Sequence, residues 1–186
     1  ILNDTDHLWG HGCELGWIWK SFTRGMNVLF MDPWEPIPGD LDWWQDGDIT
    51  RNQRYYYAWD DMRRNLAYTR NVARIYDLNQ CVPDLSFCTS TYCLANRDRQ
   101  YVCFFPAGGS EGLDLTGLTG EFQVEWLNPA TGVTVKGAAV PAVSPTPHAM
   151  HQRVALRAPF EGPAILLFYK ERTVLPRRRQ IFVAGR

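Results

Sequence analysis

Two carboxylates and an imidazole lie within four consecutive residues, at Asp4, Asp6 and His7. A carboxylate can attack an electrophilic carbon or accept a proton, and an imidazole can orient that carboxylate or carry the proton itself. The apolar pair Ile1 and Leu2 precedes them, so the run reads as a strand leaving a core and delivering polar side chains to a rim. Asp32 stands in the same relation to a second apolar run, Asn27 to Met31. An Asx-turn or helix N-cap at Asp4 or Asp6, with His7 in solvent, uses the same residue types, and spacing leaves both readings open. Carboxylate and imidazole are also metal donors. Without a recognisable fourth ligand, the expectation is no metal and no cofactor.

Aromatic content adds a second clue. The chain holds eight Trp, and Trp9, Trp34, Trp43, Trp44 and Trp59 fall in or beside segments that read as loops. Exposed planar rings stack on the apolar faces of sugar rings, which points to carbohydrate. Trp9, Trp34, Trp43 and Trp44, with Asp32 as a partner for a hydroxyl, are therefore the candidate substrate-binding residues.

The elements that must position these groups follow from periodicity. Glu14 to Arg24 predicts a helix, with Leu15, Ile18, Trp19 and Phe22 on one face and Gly25 as its stop. Asn27 to Met31 is too short for a helix and predicts a fully buried parallel strand. Residues 33–50, rich in Pro, Gly, acidic residues and Trp, predict a long loop of the kind that is usually functional. From Trp59 the pattern is helical again, with Trp59, Met62, Leu66, Ala73 and Tyr76 on the apolar face.

After Cys81 the grammar changes to short punctuated segments near residues 91–95, 101–105, 113–115, 121–127, 131–136, 153–158 and 164–170, with 140–148 as an irregular connection. Asn128-Pro129-Ala130-Thr131-Gly132 is the clearest turn. Such punctuation predicts an antiparallel β-sandwich. The fold class is thus α/β plus all-β, divided as 1–79, 80–172 and a basic tail at 173–186.

Nineteen basic and twenty acidic residues leave a formal charge of −1, so the chain as a whole carries no electrostatic footprint for nucleic acid or an anionic membrane. The run Arg177-Arg178-Arg179 is the local exception. No apolar stretch approaches the ~20 residues of a membrane span, and the expectation is no membrane partner. Five cysteines, Cys13, Cys81, Cys88, Cys93 and Cys103, form no C-x-x-C pair, which argues against zinc-ribbon and thioredoxin-like sites. Cys93 and Cys103 flank a hairpin and can face each other, with buried free thiols as the default.

Three segments, Asp4-Thr-Asp-His-Leu-Trp-Gly10, Trp17-Ile-Trp-Lys-Ser-Phe-Thr-Arg-Gly25 and Phe30-Met-Asp-Pro33, resemble the C-terminal part of apiosidase-like glycoside hydrolases. Those proteins join a (β/α)8 barrel to a C-terminal β-sandwich of the collagen-binding-like type. Leu85 to Leu94 and Glu125-Trp-Leu-Asn-Pro-Ala-Thr-Gly132 resemble the entry and central turn of that sandwich, and the likeness runs from about Ile1 to Tyr169. The resemblance implies that the chain begins within a domain and carries the last two βα units of a TIM-type barrel, with Ile1–Asn3 ending strand seven and residues 27–31 forming strand eight.

It also implies roles. The acid/base carboxylate of such barrels follows strand four, outside this chain, and the nucleophile follows strand seven, where Asp4 or Asp6 stands. His7 would orient the nucleophile or a sugar hydroxyl. Many related barrels have Glu at the nucleophile position, one methylene longer than the Asp here. Oligo- or polysaccharide is the implied partner, together with the missing barrel portion or another copy of the chain, in a secreted or periplasmic setting. The competing reading is a non-catalytic carbohydrate- or matrix-binding sandwich module, which the same fold supports equally well.

Overall fold

The molecule is described by a computed structural model that covers residues 2–4, 15–30, 60–142 and 152–172. Within these residues the structure is mostly antiparallel β-sheet with two α-helices. Strand β1 (Leu2–Asp4) leads through helix α1 (Leu15–Thr23) to β2 (Asn27–Leu29), which pairs with β1 in parallel, Leu2 opposite Asn27 and Asp4 opposite Leu29. Helix α2 (Asp60–Ile75) and a short 3-10 turn at Leu78–Gln80 follow.

Helix α1 ends as its glycine dictates. Gly25 takes φ +72, Met26 N–H donates to the Ser21 carbonyl at 3.1 Å, and Gly25 N–H donates to the Phe22 carbonyl at 3.0 Å. That is a Schellman cap, which satisfies carbonyls that the helix end would otherwise leave open. Asp60 and Asp61 occupy the first turn of α2, where the helix dipole favours negative charge.

The remaining strands are β3 (Val82–Pro83), β4 (Cys93–Asn96), β5 (Gln100–Phe105), β6 (Ser110–Asp114), β7 (Gly120–Leu127), β8 (Thr134–Lys136), β9 (Val140–Ala142), β10 (Arg153–Arg157) and β11 (Ala164–Tyr169). Seven of them form one antiparallel sheet in the order β3-β4-β5-β11-β7-β8, with β9 on the same edge of β7 as β8. The eight-residue β7 is long enough to hold both, β9 against Gly120–Phe122 and β8 against Glu125–Leu127. Strands β6 and β10 make a separate antiparallel pair.

Side-chain alternation divides the large sheet between two cores. On β11, Ala164, Leu166 and Phe168 face one cluster, with Tyr101, Cys103 and Phe105 of β5 and Phe122, Val124 and Trp126 of β7. Leu113 of β6 and Val154 and Leu156 of β10 close that cluster from the other side. Rings interlock there: Phe122 stacks on Phe168 with centroids 4.5 Å apart, and Phe87 stacks on Tyr101 at 4.0 Å. The opposite face of the sheet presents Ile165, Leu167 and Tyr169 with Val102 and Phe104, covered by Trp19 and Phe22 of α1 and Val72 and Tyr76 at the end of α2.

Several expectations need correcting. Strand β2 is not fully buried: Asn27 and Leu29 are exposed and Val28 is half-buried, because among the described residues β2 has one partner strand. Thr91 lies outside β4 because its φ of 64 is left-handed, a conformation no strand admits. The presumed connection from Val140 opens as strand β9, whose Pro141 is tolerated at a sheet edge where no further N–H is required. The buried face of α2 is Met62, Asn65, Thr69 and Val72, continued by Tyr76, while Leu66 and Ala73 flank it half-buried.

Asn65 earns its buried place through complete pairing. Its Oδ1 accepts from the Trp19 indole N–H at 2.7 Å, and its Nδ2 donates to the carbonyls of Asp61 at 2.7 Å and Pro129 at 2.9 Å. One side chain thereby joins α1, α2 and the turn that follows β7. The turn is closed by Asn128, whose Oδ1 accepts from the N–H groups of Ala130 and Thr131. Gly132, at φ +75, lies directly beneath α2: a Cβ there would come within 2.4 Å of the Tyr68 hydroxyl oxygen.

Asn65→Ala removes partners from a buried indole N–H and a buried carbonyl together, and the expected loss is about 2–4 kcal/mol of unfolding free energy. Chemical denaturation of the variant checks this. A loss below about 0.5 kcal/mol would mean that water replaces the amide without cost.

Candidate functional site

The candidate rim is built from the parallel β1–β2 pair. Because neighbouring parallel strands end on the same side, the backbone of Asp4 at the end of β1 lies opposite Leu29 at the end of β2. Asp32 follows Leu29 by three positions in sequence, but Asp32, Asp6, His7, Trp9, Trp34, Trp43 and Trp44 lie outside the described residues. Of the predicted site residues, Asp4 alone is placed, through its backbone.

Two residues that periodicity did not single out fix β1 against α1. Asn3 Nδ2 donates to the Ser21 hydroxyl at 2.7 Å, and that hydroxyl donates to the Trp17 carbonyl at 2.7 Å. Ser21 is buried on the apolar face of α1, between Ile18 and Phe22. A small hydroxyl on an otherwise apolar helix face was the available signal. The same helix is tied to α2 through Trp19 and Asn65, so the strand bearing Asp4 is linked stepwise to the large sheet.

Among the described residues the buried carboxylate is Glu125 on β7. Its Oε1 accepts from the Tyr169 hydroxyl at 2.7 Å, and its Oε2 accepts from Arg172, whose Nε also donates to the Tyr169 oxygen at 3.1 Å. Burial, followed by the carboxylate at its hydroxyl, raises the Tyr169 phenol above its ordinary value. Both carboxylate oxygens are engaged, and the ring of Tyr169 meets Tyr76 edge to face. This arrangement braces the helix-covered side of the sheet.

Cysteines account for the remaining reactive groups. Cys93 and Cys103 do face each other across β4 and β5, both as buried free thiols, and Cys88 is a third buried thiol beside them in the same core. Cys81 is a half-buried free thiol, and Cys13 lies outside the described residues. Among the described residues no group of three or more His, Cys, Asp or Glu is arranged to hold a metal ion.

Comparison with known proteins gives structural neighbours only. No protein-family profile matches the chain. No curated protein matches it in sequence. Among solved structures, one described as a glycoside hydrolase superposes on 55% of this chain and 24% of its own, at 12% identity and a TM-score of 0.43. A glycoside hydrolase family 5 protein from Bacteroides vulgatus superposes on 55% of this chain and 23% of its own, at 13% identity and a TM-score of 0.44. The matched region is thus about a quarter of each neighbour's length, too small and too distant a likeness to carry an argument about activity.

If Ser21 is what holds β1, Ser21→Ala leaves the Asn3 amide without its acceptor and weakens the β1–β2 pair locally. Amide hydrogen exchange at Asn3 and Val28 is expected to accelerate by about tenfold, the equivalent of ~1.4 kcal/mol, with little change in the large sheet. Unchanged exchange at β1 would remove Ser21 from the positioning role.

Proposed function

We propose that this chain is the C-terminal portion of a glycoside hydrolase acting on plant or microbial polysaccharide, with β1-α1-β2 and α2 as the last two βα units of a TIM-type barrel and residues 80–172 as a β-sandwich. The observation that carries the reading is the position of Asp4 at the C-terminal end of a strand paired in parallel with the next, joined by a helix. In βα barrels, side chains that do chemistry project from that end. The sequence resemblance supplies the reaction class.

Retaining cleavage of a glycosidic bond needs two carboxylates about 5–5.5 Å apart, one to attack the anomeric carbon and one to protonate the departing oxygen. In this reading Asp4 or Asp6 is the nucleophile, and His7 holds its carboxylate or a neighbouring hydroxyl. Asp32 binds a hydroxyl from the adjacent strand end. Trp9, Trp34, Trp43 and Trp44 stack on sugar faces. The acid/base carboxylate comes from the barrel strands outside this chain, or from another copy. A secreted or periplasmic enzyme fits a polysaccharide substrate.

Nucleophile and acid act as a unit, so removing either costs nearly the whole rate. The isolated chain is therefore expected to hydrolyse aryl glycosides and plant oligosaccharides at or near background. A parent protein extended upstream is expected to be active and to lose at least about a thousandfold in kcat on Asp4→Ala or Asp6→Ala. Robust turnover by the isolated chain would overturn the requirement for an external acid. A parent that binds glycan through Trp34, Trp43 or Trp44 without turnover would replace the hydrolase by a binding module.

A further inference from the structure

The two strands that carry facing cysteines are held from both sides. Strand β4 lies between β3 and β5, and β5 between β4 and β11, so neither is an edge of the large sheet. Cys93 is directly opposite Cys103, Cys103 is opposite Leu166 on its other side, and Asp84 N–H donates to the Cys93 carbonyl at 2.9 Å from beyond β4. The register also fixes the type of pair. Phe104 N–H donates to the Tyr92 carbonyl at 2.9 Å, which makes Tyr92 and Phe104 a hydrogen-bonded pair and leaves the adjoining Cys93 and Cys103 as a non-hydrogen-bonded one. Facing residues of that type lie about 4.5 Å apart at Cα, and a disulfide takes about 4.4–6.8 Å. Both side chains enter the core between the large sheet and the β6–β10 pair.

The other described thiols are placed differently. Cys81 packs against the opposite core, on the helix-covered face, where its Sγ donates to the Asp77 carbonyl at 3.3 Å. The sheet itself stands between Cys81 and the facing pair. Cys88 shares the core of the pair, but its backbone is bridged to Leu113 of β6 and its Sγ is 3.2 Å from the Ser90 hydroxyl oxygen. A bond from Cys88 to β4 or β5 would pull on a segment fixed to the facing layer, whereas Cys93 and Cys103 are already opposed by the ladder they belong to.

We propose that Cys93 and Cys103 are joined in an intramolecular disulfide as the chain folds in an oxidising setting, with oxidised glutathione or an equivalent small disulfide as electron acceptor. Access sets the moment. Neither cysteine has exposed surface in the folded chain, so an acceptor of that size reaches them before β6 and β10 close over the sheet. Their hairpin is suited to forming first: the turn between β4 and β5 is tight, Arg99 N–H donates to the Asn96 carbonyl at 3.0 Å, and Asp98 supplies a left-handed φ of 63. Strands β6 and β10 are separated in the chain by β7, β8 and β9, and such non-local pairing is slower to close.

The exchange balances in two steps. One cysteine gives up its proton and its thiolate attacks a sulfur of oxidised glutathione; the glutathione S–S bond breaks, and the departing glutathione thiolate takes up a proton. The facing cysteine then gives up its proton and attacks the protein sulfur of the mixed disulfide. The protein S–S bond forms, and the second glutathione leaves and is protonated. Two protein thiols are oxidised and one glutathione disulfide is reduced to two thiols.

The reduced, denatured whole chain is diluted into a buffer of reduced and oxidised glutathione, free thiols are alkylated in denaturant at intervals, and the product is digested with trypsin and chymotrypsin without reduction. Cleavage after Tyr92, Arg97 and Arg99 puts Cys88, Cys93 and Cys103 in separate peptides. The expected result is a linked Cys93–Cys103 species, lighter by two hydrogens than the two thiols, in most of the folded product, with Cys88 recovered as an alkylated thiol. Chain already folded in the reduced form is expected to acquire the link at least about tenfold more slowly in the same buffer, because it must open first. The linked form is expected to melt at least about 4 °C above the reduced one, since the link constrains the unfolded chain.

Where dilution leads to aggregation, chain secreted into a bacterial periplasm and mapped directly gives the same reading without refolding. Recovery of Cys93 and Cys103 as thiols from the oxidised product would overturn the proposal. So would a bond from either to Cys13, Cys81 or Cys88 as the main species, equally fast linkage in the folded reduced chain, or a linked form that melts below the reduced one.

Discussion

The structure depends on a sheet that is apolar on both sides. Strand β11 is buried along its whole length and contributes alternate residues to two separate cores. An antiparallel sheet commonly leaves one face to water, and this one cannot. One cover is the β6–β10 pair, and the other is α1 with α2. Each buried aromatic or aliphatic side chain contributes roughly 1.5–3 kcal/mol by leaving water, so exposing either face would forfeit several such increments at once. The helices on the second face also carry the strand on which Asp4 stands. Support for the candidate rim and stability of the large sheet are consequently one problem.

Much of this was legible from residue pattern. The two helices, the Gly25 stop, the Asn128 turn and the central strands all announce themselves through spacing and turn chemistry. Failures have physical causes. The face of α2 was misdrawn because an apolar pattern ignores Asn65 and Thr69, and a buried amide becomes intelligible only when its three partners, 4, 46 and 64 residues away, are known. Strand β9 was missed because Pro141 reads as a breaker unless the strand is known to be an edge. The burial of β2 was overestimated because a short apolar run does not reveal how many neighbours its strand has.

The candidate site was legible to a lesser degree. Residue types pointed to Asp4, whose backbone ends β1, but the spacing of carboxylates along one sequence does not locate a partner carboxylate in space. The buried polar groups at the layer contacts are paired: Glu125 with Tyr169 and Arg172, Asn65 with three elements at once. Such groups specify how layers dock, because any shift in the docking would strand a buried donor or acceptor. Thiols behave differently, since a buried thiol tolerates an apolar setting as a small hydrophobe.

Gly132 has a further implication for how this chain can be cut and rejoined. Its missing Cβ is the space that Tyr68 of α2 occupies, while Asn65 one turn earlier grips the neighbouring Pro129 carbonyl. Helix and turn are thus a matched lock whose halves are separated by more than sixty positions of sequence. A chimera joined anywhere between Ile75 and Pro129 would inherit one half from each parent, and a donor turn bearing a side chain at the glycine position would have to hold a left-handed φ and push the Tyr68 ring aside. Recombination respects this lock only at seams that carry α2 and the turn together.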